Sequence, residues 1–179
     1  PELCISGYGC EDAFHSIGVA EKAFEVLMEM VPYTRHLSVA LGLPVVFQDR
    51  TYNALAWVCD GFLRGIVAKQ FLASQDVYYE HRWFKSWTGG QVATYSHSGM
   101  KIPFGDLCFD IEGVKVGFEI CEDAWVASRP GLRLAAKGVD VILNASASHF
   151  AFGQHQARRQ IVQEGSRSSH TVYVYSNLL

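Results

Sequence analysis

Cys121 is the residue whose type and position offer the most chemistry in this chain. An apolar stretch over residues 114–120 ends at it, and the acidic residues Glu122 and Asp123 follow. The pattern predicts a strand that closes in a turn before a helix, where a side chain projects from the sheet edge and free helix N–H groups lower the pKa of a thiol. A thiolate in such a place attacks carbonyl carbon. The alternative is a buried core cysteine, the commonest state of an unpaired one.

A thiol that attacks a carbonyl needs a base and a group that stabilises the oxyanion. Glu2 lies just before a Gly-Tyr turn, and Lys69 closes an apolar run over residues 63–68. Glu2 is the candidate base, which would take and return protons in both halves of an amide hydrolysis. Lys69 would stabilise the oxyanion and lower the pKa of the thiol. The alternatives are a surface carboxylate for Glu2 and an exposed strand-end lysine for Lys69.

The first half of the chain has the elements that would position Glu2 and Lys69. Apolar residues at helical spacing predict an amphipathic helix over residues 16–41, with Gly42 and Pro44 as stop signals. Short apolar runs then predict strands over residues 45–47, 52–58 and 63–68. Asp60-Gly61 between the last two predicts an antiparallel hairpin. Residues 70–103 lack a clear period and predict a long functional loop directly after Lys69.

The second half alternates strands and helices around Cys121. A turn at 112–113 precedes the predicted strand over residues 114–120, and the following elements are a helix at 131–137 closed by Gly138, a strand at 139–143, a helix at 154–169 and a strand at 171–176. This alternation predicts a layered α/β sheet with helices on one face, and the hairpin of the first half makes the fold mixed.

Composition fits one soluble globular domain, with 179 residues, 49% apolar and 18% charged. The net charge of −3 and the scattered 15 basic residues give no electrostatic case for nucleic acid. No apolar run reaches the roughly 18 residues of a membrane span, so we expect no membrane partner and a cytoplasmic location. Five cysteines without a CxxC pair predict reduced thiols, and His149 and His155 lack helical zinc spacing, so no metal site is expected.

The ends of the chain also carry an expectation. Residue 1 is proline, and Glu2 already belongs to a candidate motif before which a strand is expected. The chain is therefore interpreted as an internal fragment of a longer protein.

Several segments resemble one known family when they are taken together. The surroundings of Glu2, Lys69 and Cys121 are similar, in that order, to the motifs of the nitrilase (carbon-nitrogen hydrolase) superfamily. Further segments, at residues 7–12, 79–84, 114–125 and 144–148, resemble the glutaminase domain of glutamine-dependent NAD synthetases. The resemblance implies a four-layer αββα sandwich, here incomplete at both ends, with residues 1–179 as a partial carbon-nitrogen hydrolase (glutaminase) domain.

The same resemblance implies further site residues. Glu80 would orient the lysine or hold substrate, with a structural ion pair to Arg82 as the alternative. Glu122, Tyr8 and Ser148 would hold the amino and carboxylate ends of L-glutamine. Their alternatives are a helix first-turn charge, a half-buried aromatic ring and a loop or N-cap hydroxyl, respectively.

The implied activity is glutamine hydrolysis by a Glu-Lys-Cys triad. Ammonia would pass through an internal tunnel to a synthetase domain, absent from residues 1–179, and attack adenylated nicotinic acid adenine dinucleotide to yield NAD. No cofactor is expected in this domain, ATP and Mg²⁺ would belong to the synthetase domain, and a homo-oligomer is implied. One alternative is a free-standing amidase of the superfamily, of the ω-amidase or nitrilase type. The other is a non-catalytic interaction domain of the same fold.

Overall fold

A computed structural model of the protein describes residues 1–75 and 77–178, and its elements form a mixed α/β fold. The α-helices are α1 (Ile17–Met30), α2 (Glu80–Trp83), α3 (Pro130–Ala136) and α4 (Gln154–Ser169). The strands are β1 (Ser38–Phe47), β2 (Arg50–Cys59), β3 (Phe62–Ala68), β4 (Val92–His97), β5 (Met100–Gly105), β6 (Phe109–Ile111), β7 (Val114–Ile120), β8 (Val141–Ser146) and β9 (Val172–Asn177). Short 3₁₀ helices cover Tyr8–His15, Val31–Thr34 and Cys121–Ala124.

The strands form two sheets. The first has the order β1-β2-β3-β5-β4, and the second has the order β6-β7-β8-β9 with β7, β8 and β9 parallel. The predicted hairpin between β2 and β3 is confirmed, and both turn residues, Asp60 and Gly61, have positive φ angles of 50° and 76°. Positive φ at both central residues is the geometry that an Asp-Gly hairpin turn favours.

The two sheets pack face to face between helices. Leu55, Trp57 and Val67 of the first sheet meet Phe118 and Ile120 of the second in one buried cluster. Helix α1 packs on the opposite face of the first sheet, and α3 and α4 cover the outer face of the second. The order of layers is therefore helix, sheet, sheet, helix, so the predicted αββα sandwich is confirmed. No helix in the described parts of the chain is both long and apolar enough to cross a membrane.

The predicted helix over residues 16–41 is wrong in its second half. The α-helix ends at Met30, a 3₁₀ turn follows over Val31–Thr34, and residues from Ser38 onward form β1. Pro32 explains the stop, because proline lacks the N–H that would continue the helix.

The predicted loop over residues 70–103 is also wrong in its second half, where β4 and β5 form an antiparallel hairpin. Ser98 and Gly99 make its turn with positive φ angles of 48° and 79°. The residues of β4 alternate between exposed and half-buried, as expected for a strand with one solvated face. The strand carries few large apolar residues, so the alternation of apolar and polar residues in its sequence is weak and does not predict a strand. The first half does follow Lys69, and its described residues are mostly irregular apart from the short helix α2.

Gly42 of β1 places the segment that carries Glu2. A Cβ atom at Gly42 would lie 2.3 Å from the backbone nitrogen of Leu3 and 2.4 Å from the carbonyl oxygen of Pro1. The carbonyl of Gly42 also accepts a hydrogen bond from the N–H of Ile5, at 3.0 Å. Only glycine allows this backbone approach, so β1 fixes where Glu2 enters the space between the sheets.

We expect Gly42→Ala to lower the free energy of unfolding by about 3 kcal/mol, because the new methyl group meets backbone that must move. Gly18→Ala is the matched control, since a Cβ there meets only the Ser16 hydroxyl at 3.6 Å, on an exposed face of α1. The control should leave stability unchanged or raise it by about 0.5–1 kcal/mol. Urea unfolding measures the free energy of unfolding of both variants. If Gly42→Ala were as stable as Gly18→Ala, the assigned role of Gly42 would be contradicted.

Candidate active site

Cys121 lies at a sharp turn between β7 and the short 3₁₀ helix that follows. Its φ angle is 47°, in the left-handed region that residues other than glycine rarely adopt. Such backbone strain costs on the order of 1–3 kcal/mol and concentrates at functional sites. Cys121 is 6% exposed and lines a cavity of about 410 Å³. The turn thus presents the thiol to a space that could hold a small substrate.

Asp123 ties this turn to the end of strand β3. Its Oδ1 accepts hydrogen bonds from the N–H groups of Gln70, at 3.1 Å, and Phe71, at 2.8 Å. Its Oδ2 accepts the N–H of Ile120, at 2.9 Å. Burial raises the pKa of Asp123 to about 7, although the hydrogen bonds from the backbone act to lower it. The sequence prediction missed this carboxylate, which holds the residues beside Lys69 and Cys121 together.

Lys69 follows the last residue of β3 and is fully buried, so the exposed strand-end lysine is excluded. Its Nζ donates hydrogen bonds to Oε1 of Glu2, at 2.6 Å, and to Oε1 of Glu80, at 2.9 Å. Burial acts to lower the pKa of Lys69, but the two carboxylates outweigh it and hold the pKa well above its usual range. The ammonium group therefore stays charged, as an oxyanion-stabilising group must.

Glu2 is fully buried beside Lys69, so the surface carboxylate is excluded as well. Its Oε1 accepts hydrogen bonds from Lys69 and, at 2.7 Å, from the side-chain amide of Asn53. Its Oε2 is buried and has no hydrogen-bond partner within the described residues. Burial raises the pKa of Glu2, opposed by the charge of Lys69. One oxygen is thus held in place while the other remains able to accept a proton.

Glu80 begins helix α2 and contacts Lys69 directly. Besides its bond from Lys69, its Oε2 accepts the N–H of Ala73 at 2.6 Å. Burial acts to raise its pKa, but the charge and hydrogen bond of Lys69 outweigh it, so the pKa of Glu80 lies below its usual range. The alternative ion pair between Glu80 and Arg82 is wrong, because Arg82 instead forms a two-pronged salt bridge with Asp12.

The prediction that its surroundings lower the pKa of the Cys121 thiol is wrong. Burial and the negative charge of Glu2 raise this pKa to about 12, and the charge of Lys69 offsets them only in part. A neutral thiol costs less than a thiolate in a dry site that already holds two carboxylates. At neutral pH the thiol is protonated, so its reaction with a carbonyl requires a base that takes the proton as the bond forms.

The residues expected to hold substrate divide between two neighbouring cavities. Glu122 and Ser148 line the cavity that contains Cys121. Tyr8 instead lines the adjoining cavity of about 520 Å³, which Ser148 also borders. Tyr78 lies between the two, and its hydroxyl accepts the N–H of His149 at 2.8 Å. The sequence prediction missed Tyr78, because an aromatic residue in an irregular segment gives no distinctive pattern.

Comparison with known proteins agrees with this geometry. The model of the carbon-nitrogen hydrolase family matches residues 1–176, and the chain belongs to that family. A glutamine-dependent NAD(+) synthetase of Oryza sativa subsp. indica is 31% identical over 99% of this chain and 26% of its own length. The crystal structure of a glutamine-dependent NAD(+) synthetase from Cytophaga hutchinsonii superposes with a TM-score of 0.92 at 43% identity, covering 100% of this chain and 29% of that one.

More distant structures share the fold alone. An amidase of Nesterenkonia from the nitrilase superfamily superposes with a TM-score of 0.72 at 14% identity, covering 99% of this chain and 61% of that one. The family model and the more similar relatives confirm the predicted resemblance to the carbon-nitrogen hydrolase (nitrilase) family and to glutamine-dependent NAD synthetases. The chain spans about a quarter of the length of the curated relatives it matches.

Proposed function

We propose that residues 1–179 form the glutaminase part of a glutamine-dependent NAD synthetase, with Cys121 as nucleophile, Glu2 as general base and Lys69 as oxyanion stabiliser. The observation that carries this proposal is the asymmetric bonding of Glu2. Its Oε1 is held by Lys69 and Asn53, while its buried Oε2 lacks a partner within the described part of the chain. An unpartnered buried oxygen costs free energy, and a role as proton acceptor gives a reason to retain it.

The proposed reaction begins with attack on the amide carbon of glutamine. Sγ of Cys121 forms the new bond as its proton moves to Oε2 of Glu2, and the carbonyl oxygen becomes an oxyanion facing Lys69 and the N–H of Glu122. Glu2 then returns the proton to the amide nitrogen, and the carbon–nitrogen bond breaks to release ammonia and leave a thioester. Water attacks the thioester while Glu2 accepts its proton, and glutamate leaves as the thiol is restored.

The ends of the substrate would be recognised by polar groups at the cavities. The carboxylate of Glu122 matches the α-ammonium group of glutamine, and the hydroxyl groups of Ser148 and Tyr8 match its α-carboxylate. Burial, together with the charge of the nearby Glu80 carboxylate, raises the pKa of the Tyr8 hydroxyl. Tyr8 therefore remains neutral and keeps its proton.

We expect Glu122→Gln to raise KM for L-glutamine about tenfold with a smaller change in kcat, because the variant loses the charge opposite the α-ammonium group. Glutaric acid monoamide, which is glutamine without its α-amino group, is the matched control substrate. Its KM should be the same in both proteins. An equal rise in KM for both substrates, in an ammonia-release assay, would show that Glu122 acts on the fold of the site and not on the amino group.

The ammonia would be consumed in a synthetase domain outside residues 1–179. There it would attack adenylated nicotinic acid adenine dinucleotide, with ATP and Mg²⁺ bound in that domain, after passage through an internal tunnel of a homo-oligomer. The names of the relatives support the link to glutamine-dependent NAD synthesis. The five cysteines are unpaired, which favours a reducing, cytoplasmic compartment.

The substrate profile of the intact protein distinguishes this function from a free-standing amidase. We compare ammonia release from L-glutamine, L-asparagine and a simple aliphatic nitrile. A glutaminase should prefer glutamine to asparagine about 10- to 200-fold in kcat/KM, the discrimination that one methylene provides. Efficient hydrolysis of the nitrile would favour the free-standing amidase, and no turnover of any of the three would favour the non-catalytic domain.

A further inference from the structure

Asn53 is a polar residue on the face of strand β2 that also carries Leu55 and Trp57. Leu55 and Trp57, which share its face of the strand, pack against the second sheet. Asn53 itself is fully buried. A buried amide costs free energy unless its hydrogen bonds are formed. Within the described residues its Oδ1 has no partner, so the contacts of its Nδ2 must explain why it lies there.

The side chain of Asn53 bridges the two carboxylates of the site. Its Nδ2 donates to Oε1 of Glu2, at 2.7 Å, and to Oε1 of Glu80, at 3.0 Å. The ammonium group of Lys69 donates to the same two oxygens. The backbone carbonyl of Asn53 also accepts the N–H of Lys69, at 2.9 Å. One residue thus fixes the position of Lys69 and both carboxylates.

The charges of the site explain why an amide is suited to this position. The carboxylates of Glu2 and Glu80 both face the ammonium group of Lys69, so these three groups together carry excess negative charge in a dry interior. A second lysine would neutralise the base, and a third carboxylate would increase the repulsion. The amide supplies two hydrogen bonds to the anions without adding a charge of either sign.

We propose that Asn53 is a positioning residue that keeps Glu2 ionised and holds its Oε1 against Lys69, which leaves Oε2 free to take the thiol proton. The inference rests on the proposed role of Glu2 as base. The hydrogen bond from Asn53 acts to lower the pKa of Glu2, which burial raises. The other groups that act on Glu2 or respond to its charge are Lys69, Glu80, Cys121, Tyr8 and Tyr78.

The test replaces Asn53 in the intact protein and follows kcat/KM for glutamine against pH. Asn53→Ala removes both hydrogen bonds, and Asn53→Ser is a second variant that keeps a small polar group too short to bridge the carboxylates. In both, the acidic limb of the profile should move to higher pH by about one unit, because the ionised base has lost a donor. Activity should fall up to about tenfold at pH 6 and recover at pH 9, where the base is ionised in both proteins.

Asn144→Ala is the matched control, since Asn144 is an equally buried asparagine of β8 that bonds to Ser146 and not to Glu2 or Glu80. This variant should melt at a lower temperature and keep the wild-type pH profile. A fall in kcat/KM with an unmoved acidic limb in the Asn53 variants, or an equal shift in Asn144→Ala, would overturn the proposal.

A second measurement separates this inference from the proposed function. The rate of Cys121 alkylation by iodoacetamide, followed by peptide mass spectrometry, depends on Glu2 as proton acceptor but requires no glutamine turnover. In both Asn53 variants, the pH profile of the alkylation rate should move to higher pH, as the profile of kcat/KM does. If the wild type does not hydrolyse glutamine but the alkylation profile still shifts in the Asn53 variants, the proposed substrate is rejected and the role of Asn53 is retained. An unshifted alkylation profile in the variants would reject that role.

Discussion

Replacing Cys121 with alanine in the intact protein is expected to reduce glutamine-dependent NAD formation on the order of 10⁴-fold or more, while ammonium-dependent NAD formation continues. The variant lacks the only atom proposed to bond to the substrate carbon, and loss of a nucleophile removes nearly all covalent catalysis. The measurement is NAD produced from nicotinic acid adenine dinucleotide and ATP, with L-glutamine or an ammonium salt as nitrogen source.

The ammonium reaction is the internal control in this assay, because it reports whether the protein remains folded and active. Cys108→Ala is the matched variant, since Cys108 is exposed and lies outside both cavities. It should behave as wild type with either nitrogen source. Undiminished use of glutamine by Cys121→Ala would remove Cys121 as the nucleophile.

Replacing Glu2 with glutamine is expected to lower kcat/KM for L-glutamine about 10²- to 10⁴-fold, the range typical for loss of a general base. The amide oxygen can still accept the hydrogen bond from Lys69, but an NH₂ group in place of Oε2 cannot take a proton. In the wild type, activity should rise with pH through the pKa of Glu2, which burial raises above its usual 4.5, because the base must be ionised. The variant should lose this acidic limb.

Glu25→Gln is the control for this experiment, since Glu25 is exposed on α1 and bonds only to Lys22 among the described residues. It should keep the wild-type rate and pH profile. If Glu2→Gln retained both the rate and the acidic limb, another group would have to serve as base, and the free Oε2 would have no catalytic meaning.

Much of the fold follows from local sequence signals. Asp60-Gly61 marks the β2–β3 hairpin, and the helix predicted over residues 154–169 has the observed bounds. The errors arose where two signals competed. Helical spacing continued past Pro32, which ends the helix, and the weakly apolar strand β4 is recognisable mainly from its pairing with β5. Pairing between strands is a non-local property that one segment does not reveal.

The candidate site was less accessible from sequence than the fold. The predicted strand ends and turns located Lys69 and Cys121. The family resemblance added Glu80, which accepts a hydrogen bond from Lys69 in the structure. The sign of the thiol pKa shift depends on the balance between burial and three nearby charges, which requires coordinates. Asn53 did leave a signal, a polar residue on the apolar face shared by Leu55 and Trp57, but its partners are distant in sequence.

The central claim is that Cys121 forms a thioester with the acyl group of glutamine, and it is tested most directly by acid quenching of the intact protein during turnover. Peptide mass spectrometry then measures where the γ-glutamyl group is attached. We expect the adduct on the peptide that carries Cys121, at a level that falls when glutamine is exhausted. Steady ammonia release with no adduct on Cys121, or with the adduct on another residue, would contradict it.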